Sequence, residues 1–293
     1  MKLSIVVIFY NMRREAPRTL YTLGPDYQQG VSAGDYEVIA IDNGSSEPLD
    51  PEMVAGFGPN FHYHYFETDS VSPVEAVNFG ASLAQGDALA LIVDGARMTT
   101  PGILSKSLQA LEIHDQPFIG GIAFHLGPDI QPKTILTGYC QEVEDKLLSI
   151  TNWRENGYQL FAIATIAPSS SGGYLYGQFL PECSWLCMPR ATFLELDGFN
   201  TAFQSPGGGL CNHEFRNRAL KVSGTQAVML LGEGMFHQFH GGAITNSMPR
   251  QRPMRAFREE YKRIFGVNFS TRPHTDITYL GNVPEPARRY LQM

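Results

Sequence analysis

Three apolar segments near the start of the chain each end in a polar cluster that could bind a charged ligand. The clusters are residues 9–11, 42–46 and 94–97, and the last of them begins with Asp94. In parallel sheets, ligands bind at the edge formed by the carboxyl ends of the strands. We therefore expect one site at this edge, where a nucleotide-sized anion binds through backbone amides or a metal ion.

The elements that would position these clusters alternate between strand and helix. Buried parallel strands are predicted over residues 3–9, 36–41, 61–66 and 88–93, where Val, Ile, Leu and aromatic residues dominate. A helix is predicted over residues 72–85 from the near-helical spacing of its apolar residues. This alternation indicates a doubly wound sheet. Further strands are predicted over residues 118–124, 185–188 and 226–231, and further helices over residues 103–111, 141–153, 190–196 and 254–265.

Composition limits the function classes open to the chain. It has 293 residues, of which 43% are hydrophobic and 17% charged, so it can bury a full core. The formal net charge is −7, which argues against nucleic acid as a partner because such proteins normally present a basic face. The composition therefore favours a compact enzyme-like body with a local site.

The cysteines and the longest apolar runs bear on location. Cys140, Cys183, Cys187 and Cys211 form no recognisable disulfide framework in a chain of this length, so reduced thiols in a cytoplasmic protein are expected. The apolar run at residues 3–9 is short for a signal peptide and lacks a small-residue cleavage site. No apolar run reaches the ~18 residues of a membrane span, so no integral membrane segment is expected.

The last part of the chain is more basic than the rest. Arg250, Arg252, Arg255 and Arg258 could attract an anionic acceptor or the surface of a membrane, although a solvated helix face explains them equally simply. Peripheral membrane contact is thus an open alternative, and the oligomeric state is not predicted.

Residues 4–11, 36–46, 76–81 and 84–87 resemble the opening blocks of family 2 glycosyltransferases, in the same order. The resemblance implies the GT-A fold, an α/β architecture with a Rossmann-like, doubly wound mixed sheet. It implies one domain over residues 1–246, with a nucleotide-binding half (1–97) and an acceptor half (98–246). A short helical extension is expected over residues 247–293.

The resemblance also implies an activity. Members of the family transfer a sugar, with inversion, from a nucleotide diphosphate to a glycan or other hydroxyl acceptor, and UDP is the first candidate nucleotide here. In this interpretation Asp42 binds the base, although an ordinary turn is the simpler explanation of that residue taken alone. The other residues assigned to the nucleotide are Phe9, Tyr10, Asn11, Asp69, Asn78 and Asp94.

The family normally has an Asp-x-Asp motif at the end of the fourth strand, whose carboxylate holds a divalent cation on the diphosphate. Here Asp94 is followed by Gly95 and Ala96, so the second carboxylate is absent, and Arg97 comes next. Asp94 alone could still bind Mn²⁺ or Mg²⁺ that takes its other ligands from phosphate and water. Alternatively, Arg97 supplies the positive charge, or activity has been lost.

Two histidines late in the chain match a second family feature, a histidine that completes the metal site after the last core strand. His240 fits this pattern best and His237 is the alternative. One imidazole ligand is compatible with Mn²⁺. The competing interpretation is that these histidines only cap a loop.

The general base is expected from an acidic block that precedes a helix, because an inverting displacement requires a group that takes the acceptor's proton. The corresponding residues are 211–218, where Asn212 replaces an acid and Glu214 retains one. Glu214, or His213 beside it, is therefore the candidate catalytic residue. The alternative is that Glu214 only stabilises the start of the helix.

Two other functions remain open. The missing second acid and Asn212 are compatible with an inactive protein that binds nucleotide sugars or glycans. A nucleotidyltransferase shares the same sheet arrangement but would normally have a glycine-rich loop after the first strand, and residues 11–14 contain no glycine.

Overall fold

A computed structural model describes residues 1–168, 173–175, 184–242, 253–271 and 274–291. It contains a ten-stranded sheet with α-helices around it, in the GT-A arrangement expected from the sequence. The strands are β1 (Leu3–Phe9), β2 (Tyr36–Asn43), β3 (Phe61–Phe66), β4 (Ala88–Ile92), β5 (Arg97–Thr99), β6 (Pro117–Leu126), β7 (Ala164–Ile166), β8 (Leu186–Pro189), β9 (Gln226–His237) and β10 (Ile277–Gly281).

The helices connect and cover these strands. They are α1 (Ala16–Thr22), α2 (Pro51–Ala55), α3 (Val74–Leu83), α4 (Ile103–Ile113), α5 (Gln131–Thr134), α6 (Gln141–Ser149), α7 (Arg190–Glu195), α8 (Cys211–Ala219) and α9 (Met254–Phe265).

The first four strands form the parallel half of the sheet. β1 pairs in parallel with β2 and β4, and β2 pairs in parallel with β3, so their carboxyl ends lie at one edge. Alternate β1 residues enter the cores on opposite faces, with Ile5 and Val7 in one and Val6 and Ile8 in the other. A strand covered on both faces needs a continuous apolar run, which is why the sequence predicts β1 with its observed bounds.

The other half of the sheet makes it mixed. β8 pairs antiparallel with β4 and with β6, while β6 and β9 run parallel. The main path runs β10-β9-β6-β8-β4-β1-β2-β3. The short strand β5 branches from this path and pairs antiparallel with β9. It therefore connects the loop after β4 to the far half of the sheet.

β9 is longer than the sequence predicts. The expected strand ends at residue 231, but β9 continues to His237 through a segment that contains Gly232 and Gly234. A register shift between Gly120 and Ile122 of β6 accommodates the irregular stretch. The extension matters because it carries His237 to the carboxyl edge of the sheet.

The C-terminal region contributes to the sheet as well as supplying the expected helix α9. β10 pairs in parallel with β9, and Ala287 and Tyr290 are buried in the core. This region is therefore more than a helical extension. The expected boundary at residue 246 lies outside the described residues.

Two further expectations can be compared with the structure. Cys140, Cys187 and Cys211 form no disulfide bond with any described residue, while Cys183 lies outside that part of the chain. Within the parts of the chain that the structure describes, no helix has the length and apolar character needed to span a membrane.

Candidate metal and nucleotide site

Hydrogen bonds join the loops that follow β1 and β2. The backbone N–H of Asn11 donates to the Ser45 hydroxyl at 2.8 Å, and the Asn11 Oδ1 accepts from the Ser46 backbone at 3.0 Å. Asn11 has a φ of 51°, a left-handed conformation that asparagine tolerates better than most residues. Two of the polar clusters predicted to share an edge are thus in direct contact.

Gly95 brings the third cluster against the first strand. Its N–H donates to the Ile8 carbonyl at 2.8 Å. A Cβ at this position would lie 2.4 Å from Phe9 Cδ1 and 2.6 Å from the Ile8 oxygen, closer than any side chain allows. The residue after Asp94 must therefore be glycine for the loop to close on β1.

Asp94 forms a compact cluster with two histidines. Its Oδ2 lies 3.0 Å from His237 Nε2, and its Oδ1 lies 3.4 Å from His240 Nε2. The two histidine Nε2 atoms are 3.2 Å apart. Arg97 adds a positive charge at the rim, with Nη2 3.2 Å from Asp94 Oδ2. The structure therefore brings together all three residues predicted to bind the metal.

The strand register explains how His237 reaches Asp94. His237 lies opposite Arg97 in the β5–β9 pair, and it also lies opposite His125 in the β6–β9 pair. The pairing is extended by Gln238, whose N–H donates to the Ala96 carbonyl at 2.8 Å. Asp94 is three residues before Arg97, so β5 brings its carboxylate next to the end of β9.

Gln131 fixes the orientation of the His237 ring. Its Oε1 lies 2.8 Å from His237 Nδ1, and its Nε2 donates to the His237 carbonyl at 3.0 Å. The second bond determines which end of the amide faces the ring. This network assigns the imidazole proton to Nδ1 and leaves the Nε2 lone pair directed at Asp94.

The charges of the cluster follow from burial and proximity. Burial lowers the pKa of His237 to about 4, although Asp94 acts in the opposite direction. Burial also disfavours a charged His240, but the Asp94 carboxylate outweighs it and raises the His240 pKa. For Asp94, burial is outweighed by His240, His237 and Arg97, which hold its pKa well below the usual range. Asp94 is an anion and His237 is neutral at pH 7.

This donor set fits a divalent cation. Each of the three residues offers one ligand atom, and these atoms all lie within 4.8 Å of one another. With its proton on Nδ1, His237 directs a lone pair at a carboxylate 3.0 Å away, so the space between them suits a bound cation or a proton of His240, whose Nε2 lies 3.2 Å from that of His237. Two imidazoles and a carboxylate are ligands of divalent transition ions. Mg²⁺ prefers oxygen ligands alone.

Ala96 occupies the position where the family motif has its second acid. Its side chain is fully buried among apolar residues of the core. Its N–H donates to Asp94 Oδ1 at 3.2 Å. A carboxylate at position 96 would therefore enter the protein interior, so this loop has no room for the usual second acid.

The residues predicted to bind the nucleotide differ in accessibility. The Phe9 side chain is fully buried, so only its backbone can contact a ligand, whereas Tyr10 and Asp69 are exposed. Asp42 is buried, and its two oxygens accept backbone hydrogen bonds from Ser45 at 3.0 Å and from Leu49 at 2.8 Å. Asp42 thus shapes the loop after β2 whether or not it also contacts a base.

The Asn78 side chain is hydrogen-bonded to the backbone of Phe199. Its Nδ2 donates to the Phe199 carbonyl at 2.8 Å, and its Oδ1 accepts from the Phe199 N–H at 2.9 Å. These two bonds tie α3 to the segment after α7. The structure does not show Asn78 facing the cluster around Asp94.

Glu214 and His213 lie in the first turn of α8. Glu214 forms a two-point ion pair with Arg218, with distances of 2.7 Å to Nε and 3.0 Å to Nη2. Arg218 also donates to the Gly198 carbonyl at 2.7 Å, so the pair anchors α8 to the segment after α7. His213 is half-buried, with its ring 5.4 Å from that of Phe269.

The loop before α8 contacts the loop that contains Asp69. The Ser72 hydroxyl donates to the Phe203 carbonyl at 2.7 Å, and the Ser70 hydroxyl lies 3.3 Å from Gln204 Oε1. The start of α8 is therefore connected to the carboxyl edge of the sheet through the loop after β3.

The structure describes only some of the basic residues near the C-terminus. Arg255 is exposed on α9 and pairs with Glu259 at 2.7 Å. Arg250 and Arg252 lie outside the described residues.

Comparison with known proteins agrees with the fold. Residues 4–122 match the family model for glycosyl transferase family 2. The predicted resemblance to family 2 glycosyltransferases is confirmed. The match covers β1 to β4 and includes Asp94. No curated protein matches the chain.

Solved structures of other proteins share the fold. TarS from S. aureus superposes with a TM-score of 0.55 at 13% identity, over 82% of this chain and 37% of TarS. TarS 1–349 in complex with UDP-GlcNAc gives 0.53 at 13% identity, over 82% of this chain and 60% of that one. The chain thus spans less than two thirds of the length of these TarS structures.

A mannosyltransferase has a similar TM-score and matches this chain over a larger share of its own length. The mannosyltransferase PcManGT from Pyrobaculum calidifontis, in complex with GDP-Man and Mn²⁺, has a TM-score of 0.53 at 15% identity. The match covers 99% of this chain and 68% of that enzyme. At such identities these likenesses establish the GT-A fold.

Proposed function

We propose that the chain is an inverting glycosyltransferase that moves a sugar from a UDP-linked donor to a hydroxyl acceptor with the help of Mn²⁺. The observation that carries this proposal is the Asp94–His237–His240 cluster at the carboxyl edge of a GT-A sheet. Two proteins of similar fold have been solved with a nucleotide sugar, one with UDP-GlcNAc and the other with GDP-Man and Mn²⁺.

The cluster supplies the cation site that the reaction needs. Bound Mn²⁺ would neutralise the charge that develops on the diphosphate as its bond to the sugar breaks. Asp94, His237 and His240 would hold it, and Gln131 keeps the His237 lone pair directed at the site. Arg97, 3.2 Å from Asp94, adds a fixed positive charge beside the leaving group.

The nucleoside would bind along the loops after β1, β2 and β3. Tyr10 and Asp69 are exposed there, and Asn11 bonds the first two loops together. The backbone of residues 9–11 frames the nucleoside, and Asp42 sets the shape of the loop that would recognise the base. Asn78 has no part in this proposal because Phe199 occupies its amide.

The acceptor's proton is best taken by His213. A general base needs a lone pair that is available to the attacking hydroxyl. Each oxygen of Glu214 accepts a hydrogen bond from Arg218, and the positive charge of Arg218 makes the carboxylate a weaker base, so we assign Glu214 to holding α8 in place. His213 lies beside it in the same helical turn.

A second candidate function is binding of a nucleotide sugar without transfer. Asn212 stands where the resemblance places an acid, and the nearest acid is paired with Arg218. Such a protein would use the same metal site and the same nucleotide edge. The two candidates differ only in turnover, that is, in whether the sugar of the bound donor is transferred.

A donor-hydrolysis assay tests the proposed function. The purified chain is incubated with UDP-GlcNAc, UDP-glucose or GDP-mannose, with and without Mn²⁺, and release of the nucleoside diphosphate is measured. We expect slow Mn²⁺-dependent release of UDP that Asp94→Ala abolishes and His213→Ala lowers at least 10-fold. Donor binding with no release, even when candidate acceptors are added, would favour the second candidate.

Arg97→Ala separates the two sources of positive charge. If the metal carries the diphosphate, this variant retains Mn²⁺-dependent turnover at a reduced rate. If Arg97 replaces the metal, wild-type turnover is independent of Mn²⁺ and the variant loses it.

A further inference from the structure

The segment that carries His240 follows the end of β9, and its backbone is held by side chains of other elements. The N–H of Phe239 donates to Glu144 Oε2 at 2.8 Å, and the Phe239 carbonyl accepts from Arg14 Nη1 at 3.1 Å. Both polar groups of the residue just before His240 are thus bound by charged side chains.

Glu144 lies on α6 and is completely buried. Besides the Phe239 N–H, its Oε2 accepts from the Tyr139 hydroxyl at 3.2 Å, and its Oε1 lies 3.4 Å from Arg14. Arg18 is 3.8 Å from the same oxygen. A buried carboxylate destabilises a fold unless it is paired. The two donors and the two arginines around Glu144 provide this pairing.

Gln238, the other residue between the two histidines, is held as well. The Gln238 Nε2 donates to the Glu15 carbonyl at 3.2 Å and to the Thr19 hydroxyl at 3.1 Å. α1 and α6 therefore hold the chain from both sides between His237 and His240. The distance of 3.4 Å from His240 Nε2 to Asp94 depends on this backbone path.

We propose that Glu144 is a positioning residue for His240, because its carboxylate fixes the Phe239 backbone and so keeps the His240 ring beside Asp94. This proposal rests on the proposed function, in which His240 binds the metal. It assigns a role in the metal site to an acid on α6 that does not touch the metal ligands itself.

The neighbouring acid provides a matched control. Asp145 is the next residue on α6 and pairs with the same Arg14, at 2.8 Å, and with Arg18. Its contacts are with the arginines, whereas the Phe239 N–H is bound by Glu144. Asp145→Asn therefore disturbs the charge network around Arg14 while leaving the backbone acceptor in place.

The experiment measures Mn²⁺ affinity by electron paramagnetic resonance in the full chain. We expect Glu144→Ala to weaken Mn²⁺ binding about 10- to 100-fold, the usual effect of removing a group that orients metal ligands. Glu144→Gln keeps an oxygen that can accept the Phe239 N–H, so a loss of about 3-fold or less is expected. Asp145→Asn should bind Mn²⁺ like wild type.

Hydrogen exchange provides a readout that does not need the metal. In the wild type the Phe239 amide should exchange slowly, and Glu144→Gln should retain more of this protection than Glu144→Ala. Wild-type Mn²⁺ affinity in Glu144→Ala, or equal losses in Glu144→Ala and Asp145→Asn, would overturn the proposal. If Glu144→Ala does not fold, Glu144→Gln alone is compared with Asp145→Asn. The proposal is then overturned if the Phe239 amide of Glu144→Gln exchanges rapidly while this variant loses no more Mn²⁺ affinity than Asp145→Asn.

The outcomes also separate this proposal from the proposed function. A wild-type chain that binds no Mn²⁺ would refute the metal site itself, and the positioning role with it. Mn²⁺ binding by wild type with no effect of Glu144 would refute only the positioning role.

Discussion

Gln131 and His237 exchange two hydrogen bonds, one at 2.8 Å between Oε1 and Nδ1 and one at 3.0 Å from Nε2 to the His237 carbonyl. Gln131 is in turn fixed at its backbone, whose N–H donates to His125 Nδ1 at 2.9 Å. The amide therefore acts as a clamp on both the ring and the backbone of His237. Groups of this kind determine the tautomer of ligating histidines.

Removing this clamp should weaken the metal site. We expect Gln131→Leu to lower Mn²⁺ affinity about 10- to 100-fold, because the His237 ring loses the acceptor that holds its proton on Nδ1. Gln28→Leu is a suitable control, since Gln28 is a buried amide that bonds Thr22 and Thr100 away from the cluster. Equal Mn²⁺ affinity in both variants would show that Gln131 is only a structural residue.

Restoring the family motif should fail. Ala96→Asp recreates Asp-x-Asp, but the side chain at position 96 is fully buried. We expect the added carboxylate to destabilise the fold by several kcal/mol and to leave Mn²⁺ affinity no tighter than in wild type. Ala96→Asn separates the effect of charge from that of size. Tighter Mn²⁺ binding by Ala96→Asp at unchanged melting temperature would contradict the assignment of position 96 to the core.

Asn78 should matter for stability and not for nucleotide binding. Its amide satisfies both backbone groups of the buried Phe199. Asn78→Ala should therefore cost about 1–3 kcal/mol of unfolding free energy, with UDP affinity changed less than 2-fold. Weaker UDP binding at unchanged stability would instead support the role that the sequence predicts for this residue. Chemical denaturation and calorimetry provide the two measurements.

Two buried acids should each contribute stability that is lost as pH rises toward neutrality. Burial raises the pKa of Glu233 to about 7, against an ordinary value of 4.5. At Glu233 the folded chain therefore binds more protons than the unfolded chain between these values, and the contribution of this residue to the free energy of unfolding decreases as pH rises through this range. Glu144 behaves in the same way, with burial raising its pKa to about 7.

Glu233→Gln tests this pH dependence. The variant keeps the contacts to Thr100 and Tyr158 but no longer titrates. Its melting temperature should fall less between pH 5 and pH 8 than that of wild type, whereas the exposed Glu259→Gln should match wild type. An identical pH profile for wild type and Glu233→Gln would contradict the raised pKa.

The sequence identifies the parallel half of the fold well, for a physical reason. Strands buried on both faces need continuous apolar runs, so β1 is predicted with its observed bounds and β2 and β4 to within two residues. The partly exposed β3 is also predicted with its observed bounds, from its aromatic residues. The polar ends of these runs locate the edge that carries Asp94. Gly95 marks a place where the loop after β4 comes close to β1, and the structure identifies the neighbouring residues as Ile8 and Phe9.

The rest of the site depends on pairing between distant parts of the chain. The expected strand ends before Gly232, yet β9 continues to His237 because β6 pairs with it again from Gly234 and β5 pairs with its last three residues. The three-residue strand β5 has too short a pattern to be predicted. Gln131 and Glu144 are single polar residues in unremarkable segments, and only the fold brings them to His237 and Phe239.

The most direct test is calorimetric titration of UDP into the wild-type chain with and without Mn²⁺, repeated with Asp94→Ala. The account predicts UDP binding that Mn²⁺ strengthens at least 10-fold in wild type, and no effect of Mn²⁺ in Asp94→Ala. It also predicts a smaller Mn²⁺ effect in His240→Ala. UDP affinity that is the same with and without Mn²⁺ in wild type, or the same Mn²⁺ effect in Asp94→Ala, would contradict it.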